Sequence, residues 1–585
     1  MTQNFRRRVR TIFLLALFGI MIGLNPGLVQ AVTPGPGGYD PGFEYTPIYE
    51  IQGDGFVSPY KGQYVYTFGV VTADYQDEGS HGFFVQDPWG DGDPATSDGI
   101  YCKYGWDVSV GDYVKLSGWV SEYYGLTEMY KPYITTLESP PDNPFPEPVE
   151  LNPPFDDYAS DVYYEALEGM LVSAKRITAV AGTDSYGEVA AVRSDLGVKR
   201  VFQDDRAGTG EIIFIDDGGG CLVNVRTGNT IVGLVGPLDY TYDEYKVLPS
   251  ADNPPQVLSE CWAESDWIYQ KGLRWGFTVA TYNMYNLFDE FNATDKEDPD
   301  YLTTEDVELM LSKHAHAIKD MLRLPDLIAV QEVENLEVLV RLTETEPIKG
   351  IYGAVLIDGP DVRGIDVGLL YRLDRVEVIS AEARQTCTDL QDAYGPETDP
   401  NFPCEEGYNP LFSRPPLVVH LRTIVNSWWC RHRYGTDLWL IINHFKSKST
   451  YAPTYADTEP RRIEQAKWVN HLVKEIQHCN RHANVVVLGD FNSFTNEAPI
   501  KTLQRRGLKD LIYGVQKCSR YTYIYRGVSE VLDHIFVSNT LRWRFIHARI
   551  IHFNTDFPYG FWADDPTTGI RSSDHDVFMC AFWIR

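Results

Sequence analysis

Basic side chains are scarce in this chain. Its 585 residues include 51 Lys and Arg against 82 Asp and Glu, for a net charge of −31. The deficit lies mainly in residues 32–262, where 37 acidic residues face 12 basic ones, a net charge near −25. A field of that sign repels polyanions, so this half of the chain is not expected to hold nucleic acid in a basic groove.

Long apolar runs are scarce as well. The most apolar stretch, TIFLLALFGIMIGL, has 14 residues, fewer than the roughly 20 that a helix needs to span a bilayer. Four Arg precede it between positions 6 and 10, and Asn25-Pro26-Gly27 follows it. This order predicts a signal peptide, residues 1–31, cleaved after Ala31. We expect a secreted, extracellular protein without stable membrane insertion; a periplasmic or cell-surface location and an uncleaved N-terminal anchor are the alternatives.

Cysteine is limited to nine residues, too few for a disulfide scaffold in a chain of this length. No Cys/His cluster has the spacing of a zinc site, which argues against zinc. Cys387 and Cys404 bracket a Pro- and Asp-rich loop and are the pair that we expect to bond. The odd count leaves at least one thiol unpaired in a monomer, and Cys580 in VFMCAFW is predicted to be a buried one.

The N-terminal half is rich in short strand patterns. A Gly/Pro-rich linker, residues 32–45, precedes five alternating segments in residues 46–140 that are separated by Gly, Asp and Pro turns and lack a helical period. Five such segments predict a small β-barrel. Residues 158–262 have the same character, so they either complete that barrel or form a second β-rich region.

From residue 275 onward, six polar clusters each lie at the end of an apolar run that is typical of a buried strand. Any single cluster is explained equally well by the ordinary use of Asp, Asn and His in turns. Six clusters that combine hard oxygen ligands with His side chains favour one shared site instead, because strand ends gather reactive groups in α/β folds. The clusters are Asn283, Gln331-Glu332, Asn443-His444, Asp490 with Asn492, Asp533-His534, and Asp574-His575.

Three of these patterns are specific: Gly489-Asp490-Phe491-Asn492, Ser573-Asp574-His575-Asp576, and Gln331-Glu332 ending a strand. In them, residues 275–585 resemble the endonuclease/exonuclease/phosphatase superfamily. Asn443 to Ser447 and Arg363 to Val367 resemble its secreted bacterial nuclease branch. The resemblance implies an α/β catalytic domain built as a four-layer α/β/β/α sandwich. It also implies that residues 46–140 are an OB-like domain, with residues 158–262 as a second OB-like region.

Hydrolysis of a phosphodiester needs a cation that neutralises the growing oxyanion charge, and a base for the attacking water. Glu332, with Asn283 and Asp574, is the expected metal ligand set, because carboxylate and amide oxygens suit Mg²⁺ or Mn²⁺, with Ca²⁺ as an alternative. His575 is the expected general base, since imidazole titrates near neutrality.

The resemblance supplies the remaining catalytic roles. It implies that Asp533 is the carboxylate partner of His575, and that Asp490 and Asn492 orient the water and bind a phosphoryl oxygen. His444 stands where deoxyribonuclease I also carries His, so it is implied to be a second acid or phosphate donor. The alternative for His444 is a core His bonded to the backbone.

Two further groups are predicted to contact substrate phosphate. Lys446 follows His444 by two positions, and in a strand it would share the same face. Arg461 and Arg462 open the predicted helix EPRRIEQAKWVNHLVKEI, where Thr458 is expected to cap the N-terminus. An exposed Arg pair on a solvated helix face is an equally good interpretation.

Together these features predict an exported, metal-dependent phosphodiesterase, with non-specific cleavage of extracellular DNA as the leading function and RNA as a further substrate. A phospholipid or sugar-phosphate phosphodiesterase and a catalytically lapsed binding or adhesion protein are the alternatives. The acidic β-rich half is expected to act as a spacer, gate or partner surface. Its removal is therefore expected to leave DNA cleavage intact or faster at low salt.

Overall fold

The computed structural model describes residues 45–584 except for 77–80, 105–106, 141–143, 206, 219–220, 222, 260–275, 292–301, 362, 391–403, 406, 427–432, 449–457 and 506. The predicted signal peptide, and the linker up to residue 44, lie outside the described residues. In the part of the chain that is described, no helix is both long enough and apolar enough to cross a membrane.

The N-terminal unit is a closed five-stranded barrel, which confirms the prediction of an all-β region. Its strands are β1 (Tyr64–Tyr75), β2 (Gly82–Gln86), β3 (Gly99–Lys103), β4 (Tyr113–Tyr123) and β5 (Leu126–Thr136), in the order β1-β2-β3-β5-β4. A short helix, α1 (Ile48–Gln52), buries two isoleucines in the same apolar cluster as the barrel interior. Because the five strands close on themselves, the barrel has no free sheet edge.

A separate seven-stranded sheet follows, so residues 158–262 do not complete the barrel. In spatial order it contains β13 (Gln256–Leu258), β11 (Thr230–Thr241), β12 (Glu244–Val247), β10 (Ile213–Ile215), β8 (Val189–Arg193), β7 (Leu171–Ala179) and β6 (Val149–Glu150), and β11 also pairs with β7. Helix α2 (Asp157–Glu165) packs Tyr164 into its core. We call residues 149–258 the middle domain. Its strand β9 (Val201–Phe202) pairs instead with β28 (Val528–Glu530), far away in the sequence.

The C-terminal part contains two six-stranded sheets. The first has the order β16 (Tyr352–Leu356), β17 (Asp366–Arg372), β15 (Leu327–Val333), β14 (Gly276–Leu287), β31 (Val577–Trp583), β30 (Phe545–Ile551). The second has the order β18 (Val376–Ala383), β21 (Leu417–Thr423), β24 (Asp437–His444), β25 (Asn484–Asp490), β29 (Asp533–Val537), β26 (Lys509–Asp510). The central strands are buried along almost their whole length, as their continuous apolar runs predict.

Three apolar clusters hold these sheets and their helices together. One contains residues of both sheets, such as Val279 and Leu440. A second joins the first sheet to α3 (Thr304–His316) and α4 (Leu336–Thr343). A third joins the second sheet to α5 (Glu459–Cys479) and α6 (Ala498–Gln504). The chain is therefore a mixed α/β protein with an all-β N-terminal half.

The remaining elements are short. They are α7 (Asn539–Arg542), α8 (Tyr559–Trp562), a π-helical turn at Ala317–Met321, 3-10 turns at Ser194–Leu196, Leu511–Gly514 and Lys517–Ser519, and strands β19 (Cys387–Thr388), β20 (Asn409–Pro410), β22 (Val425–Asn426), β23 (Arg433–Tyr434) and β27 (Tyr523–Tyr525).

The helix predicted from EPRRIEQAKWVNHLVKEI is present, but its start differs from the prediction. Pro460 lies in the first turn, where its missing N–H has no cost. Thr458 does not cap the helix with its side chain. Its hydroxyl instead donates to the Ser447 carbonyl at 2.9 Å and accepts from Arg462 Nη1 at 2.6 Å. The expected Thr458 cap was therefore wrong, because the hydroxyl is used by these neighbours.

The structure contains the predicted disulfide between Cys387 and Cys404. Cys580 is buried in β31, as its apolar surroundings predict, and burial raises the pKa of its thiol well above the usual value.

A buried histidine is expected to make the C-terminal part acid-sensitive. Burial, followed by the neighbouring Lys313 charge, lowers the pKa of His314 to about 3, and its Nδ1 lies 2.9 Å from the Tyr282 hydroxyl. The unfolded chain takes up this proton near pH 6.5 and the folded chain only near pH 3, so stability is lost as the pH falls through that window. The slope is about 1.4 kcal/mol per pH unit.

His314→Gln keeps a neutral partner for Tyr282 and removes the titration. In urea unfolding between about pH 6 and pH 4, the variant should show a flatter dependence of stability on pH than the wild type. Equal slopes would mean that His314 is not the responsible group.

Candidate active site

The polar clusters meet at one edge of the two six-stranded sheets. In the second sheet, β24 and β25 run parallel and place His444 beside Asp490, and the antiparallel β29 begins with Asp533 opposite Asp490. Asn283 from the first sheet links the two halves. Its Nδ2 lies 3.1 Å from Glu332 Oε1 and 3.5 Å from Asp490 Oδ2. The predicted convergence of these strand ends is therefore present.

His575 and Asp533 form a buried pair. His575 Nδ1 lies 2.8 Å from Asp533 Oδ2, which leaves Nε2 as the other ring nitrogen. The backbone N–H of His575 donates to Ser573 Oγ at 3.0 Å, which fixes the loop before β31. Burial opposes the imidazolium, but the nearby carboxylates, led by Asp533, outweigh it and raise the pKa of His575 well above its usual value.

Glu332 projects from an irregular part of its strand. The pairing register shifts beside it in both β14 and β15, and its own φ is 59°. A bulge re-aims a side chain out of the regular alternation, and a non-glycine residue in this region stores strain that is typical of functional sites. The carboxylate also accepts from the backbone N–H of Asn286 at 3.2 Å.

Asp490 and its neighbours form the other side of the cluster. Burial, followed by the Asp533 charge, raises the pKa of Asp490 to about 7, although the backbone N–H of Asn492 donates to it at 2.8 Å. Gly489 is required here, because a Cβ on it would lie 1.9 Å from the Asn443 carbonyl oxygen. The glycine of the Gly-Asp-Phe-Asn motif therefore has a steric cause.

His444 faces the same carboxylates. Its Nε2 lies 3.6 Å from Asp490 Oδ2 and 3.8 Å from Glu332 Oε1. Burial, followed by the Arg414 charge, lowers the pKa of His444 well below its usual value. The ring of His444 therefore faces the carboxylates. The alternative, a core His bonded only to backbone groups, does not describe this position.

The donor set fits a magnesium ion. Burial raises the pKa of Asp574, and the charge of Glu332 raises it further. These two carboxylates therefore lie close enough to repel each other. Among the described residues, no group of three or more His, Cys, Asp or Glu side chains has the arrangement of a metal site. Mg²⁺ commonly uses only one or two carboxylates and keeps several waters, so Glu332 and Asp574 suffice for it. Asn283 turns its Nδ2 toward Glu332 and its oxygen accepts from the Tyr285 N–H at 3.0 Å, so its role as a metal ligand stays a prediction.

The predicted phosphate-binding residues are placed differently from the catalytic ones. β24 ends at His444, so Lys446 lies beyond the strand and the expectation that it shares the strand face was wrong; its backbone N–H donates to Gln465 Oε1. Arg461 and Arg462 are both buried. Arg461 donates to the Pro410 carbonyl, and Arg462 donates to the carbonyls of residues 446 and 447. They are not an exposed pair on a solvated face. A phosphate contact by any of the three stays a prediction.

Three neighbours of the site have no role predicted from the sequence. The Tyr523 ring lies 4.8 Å from the His575 ring between centroids. Tyr285 lies close to the metal carboxylates: burial, followed by the Asp574 charge, raises its pKa to about 12. Arg363 Nη2 donates to Asn286 Oδ1 at 2.5 Å, next to Glu332. Tyr285 lies in the long strand β14, two residues after Asn283, and Arg363 opens the Arg363 to Val367 segment, so both lie beside recognised sequence features that predict no role for these two residues. Tyr523 begins the three-residue β27, which has no motif, so only the folded chain brings it to the site.

Comparison with family models matches residues 278–395 and 432–556 to the Endonuclease/Exonuclease/phosphatase family, and residues 134–259 to a domain of unknown function. The comparison with curated proteins found no match.

Among solved structures, an endonuclease/exonuclease/phosphatase family protein from Bacteroides thetaiotaomicron is 15% identical, over 53% of this chain and 95% of that one, with a TM-score of 0.33. A protein of the same description from Bacteroides vulgatus is 16% identical, over 53% and 99%, also with a TM-score of 0.33. TDP2 from D. rerio, complexed with single strand DNA product, is 18% identical, over 52% and 98%, with a TM-score of 0.33.

The two sheets, the converging strand ends and the buried His575–Asp533 pair define an α/β domain with a carboxylate-rich site. Over the residues that its model matches, the chain belongs to the endonuclease/exonuclease/phosphatase superfamily.

Proposed function

We propose that the chain is an exported, metal-dependent phosphodiesterase and that it acts as a non-specific extracellular endonuclease on DNA, with RNA as a further substrate. The observation that carries this is the placement of the His575–Asp533 pair beside the Glu332, Asp490 and Asp574 carboxylates. The paired sheets with helices against their outer faces support a four-layer α/β/β/α catalytic domain.

Glu332 and Asp574, with Asn283 beside them as a third predicted ligand, would hold Mg²⁺, or Mn²⁺ or Ca²⁺ in its place. The ion would neutralise charge that develops on the phosphate. These residues keep it beside the base, since Asp574 directly precedes His575.

His575 accepts a proton from the attacking water through Nε2 when its ring is neutral. The cation that Glu332 and Asp574 would hold disfavours the imidazolium, and it would therefore offset the raised pKa of His575. Asp533 fixes the ring by binding Nδ1 and stabilises the imidazolium that forms. Asp490 would orient the water. Asn492, whose Nδ2 donates to the Phe445 carbonyl at 3.1 Å and lies 3.4 Å from Asp490 Oδ2, would reorient to bind a phosphoryl oxygen. His444 faces the same space, and because its lowered pKa keeps the ring neutral, it would donate a hydrogen bond to the phosphate rather than act as the second acid.

Export is supported by two independent features. The N-terminal sequence has the order of a signal peptide, and a disulfide such as Cys387–Cys404 persists in oxidising compartments. A secreted, extracellular location follows, with the periplasm or cell surface as alternatives.

A phospholipid or sugar-phosphate phosphodiesterase is the second candidate. It is favoured by the acidic N-terminal half, because a net charge near −25 in residues 32–262 repels a polyanion but not a small or zwitterionic substrate. A catalytically lapsed binding protein is disfavoured, since the chain carries a suitable side chain at every position that the proposed metal site and proton transfer require.

The test is a substrate panel. The mature protein, purified without its signal peptide, is incubated with plasmid DNA, RNA, sphingomyelin and an inositol phosphate in Mg²⁺, Mn²⁺ or Ca²⁺. We expect nicking and then degradation of plasmid DNA in Mg²⁺ or Mn²⁺. Hydrolysis of only the lipid or sugar phosphate would replace the nuclease proposal with the second candidate, and no hydrolysis at all would refute both.

A charge substitution tests phosphate contact. If Lys446 binds a DNA phosphate, Lys446→Met should raise KM for DNA and reduce the slope of log K against log salt by about 1, with kcat little changed. Lys474→Met on the exposed face of α5 removes the same charge and serves as the control. An unchanged salt slope for Lys446→Met would remove this residue from the substrate path.

A further inference from the structure

The middle domain is tied to a segment of the catalytic domain that borders the active site. Residues 552–559 connect β30 to α8. On one side, the middle domain binds this segment through two backbone hydrogen bonds: Thr227 N–H donates to the Asp556 carbonyl at 3.0 Å, and Tyr559 N–H donates to the Thr183 carbonyl at 2.8 Å. Each bond fixes the position of a backbone group rather than a mobile side-chain end.

Arg200 makes the buried ionic contact of this interface. Its Nη2 lies 2.7 Å from Asp556 Oδ1, its Nη1 donates to Ser529 Oγ at 3.0 Å, and its side chain is only 11% exposed. The guanidinium also lies 3.8 Å above the Tyr521 ring, which stacks in turn on His552 at 3.9 Å. Loss of one partner of a buried pair leaves the other charge uncompensated, so this contact strongly restrains the segment.

The other side of the same segment binds the residues around the base. Three successive N–H groups, 553–555, donate to Asp576 Oδ1 at 2.9–3.3 Å. His552 Nδ1 lies 2.7 Å from Asp576 Oδ2, and Asn554 Nδ2 donates to the His575 carbonyl at 2.7 Å. The backbone of His575 is therefore held by a segment that the middle domain holds from the opposite side.

A second contact reaches the ring of His575. Strand β9 of the middle domain adds to the hairpin of β27 and β28, where Val201 pairs with Val528. Tyr523 begins β27 and places its ring against His575. The hairpin therefore pairs with middle-domain strand β9 at one edge, and its first residue, Tyr523, contacts the ring of His575.

We infer that the middle domain completes the active site and that Arg200 is a positioning residue for His575, acting through Asp556 and the 552–559 segment. This inference rests on the proposed function for its catalytic consequence. It differs from the expectation that the acidic half is a spacer, gate or partner surface whose removal leaves cleavage intact. The charge of residues 32–262 opposes DNA binding, while a few of the same residues supply part of the scaffold of the base.

The experiment uses the full mature chain in four forms: wild type, Arg200→Met, Arg200→Lys and the control Arg193→Met. Arg193 is in the same domain and pairs with Asp195 at the surface, so its loss removes one charge without touching the interface. Turnover of bis-p-nitrophenyl phosphate is measured per folded molecule. Hydrogen exchange is followed by mass spectrometry in peptides that cover residues 552–559 and 572–577, with β16 as the internal reference.

We expect Arg200→Met to lower kcat about 10-fold to 100-fold with KM nearly unchanged, because misplacement of a reacting group by about 1 Å has effects of that size. Exchange should quicken in both peptides but not in β16. Arg200→Lys keeps the charge and should recover part of both losses, while Arg193→Met should match the wild type.

Wild-type kcat per folded molecule in Arg200→Met would overturn the inference, even if its melting temperature fell, because that pattern belongs to a purely structural contact. If the wild type hydrolyses nothing, the proposed function fails, and the exchange data still decide the inference. Unchanged exchange in residues 572–577 of Arg200→Met would then refute the link between Arg200 and the His575 loop.

Discussion

Glu332→Gln is expected to reduce phosphodiester hydrolysis to the limit of detection while the protein stays folded. Gln has nearly the same shape as Glu, so the hydrogen bond from Asn286 N–H can persist. A neutral amide binds Mg²⁺ poorly, and it cannot balance the charge of the ion next to Asp574. The measurement is the initial rate of bis-p-nitrophenyl phosphate hydrolysis at saturating Mg²⁺, together with the circular dichroism spectrum.

Glu337→Gln is the matched control, because Glu337 is exposed in the first turn of α4 and has no role in the proposed site. It should retain wild-type activity. Full activity of Glu332→Gln would remove Glu332 from the metal site.

His575→Ala is expected to lower kcat at least about 10²-fold, the usual scale for a positioned proton-transfer group, with little change in Mg²⁺ affinity. Asp533→Asn should give a smaller loss in the same direction, because an amide can still bind Nδ1 but does not stabilise the imidazolium. Kinetics and calorimetric Mg²⁺ titration of both variants separate these roles. His471→Ala, which removes an exposed His on α5, is the control.

If Mg²⁺ binding collapsed in His575→Ala, His575 would be a metal ligand rather than the base. Asp490 would then be the better candidate for proton transfer, since its pKa is raised to about 7.

The sequence predicts the sheets well because buried strands need continuous apolar residues. Runs such as LIAV before Gln331-Glu332 and VVVL before Gly489 are buried strands in the structure. The site follows from the same logic: polar residues at the ends of neighbouring strands must meet, and His575 and Asp533, 42 positions apart, do so.

Local details were less predictable because tertiary contacts override them. Thr458 has the residue type of a helix cap, but its hydroxyl binds Ser447 and Arg462 instead. Arg462 has the pattern of an exposed residue, yet its guanidinium is buried against backbone carbonyls, which no local period indicates.

The interface with the middle domain could not be predicted from sequence at all. Arg200 and Asp556 are 356 positions apart, and β9 has only two residues, too few for a strand pattern. Net charge does not indicate this interface, because it describes the field around residues 32–262 and not the contacts that a few of them make. The expectation that residues 32–262 act as a spacer, gate or partner surface stays a prediction.

The most direct test of the central claim is release of p-nitrophenol from bis-p-nitrophenyl phosphate by the wild type, first in Mg²⁺, then after excess EDTA, and again after Mg²⁺ is restored. We predict hydrolysis, its loss on chelation, and its recovery, with Glu332→Gln inactive throughout. Hydrolysis that continues unchanged in EDTA, or equally in Glu332→Gln, would contradict a metal-dependent phosphodiesterase at this site.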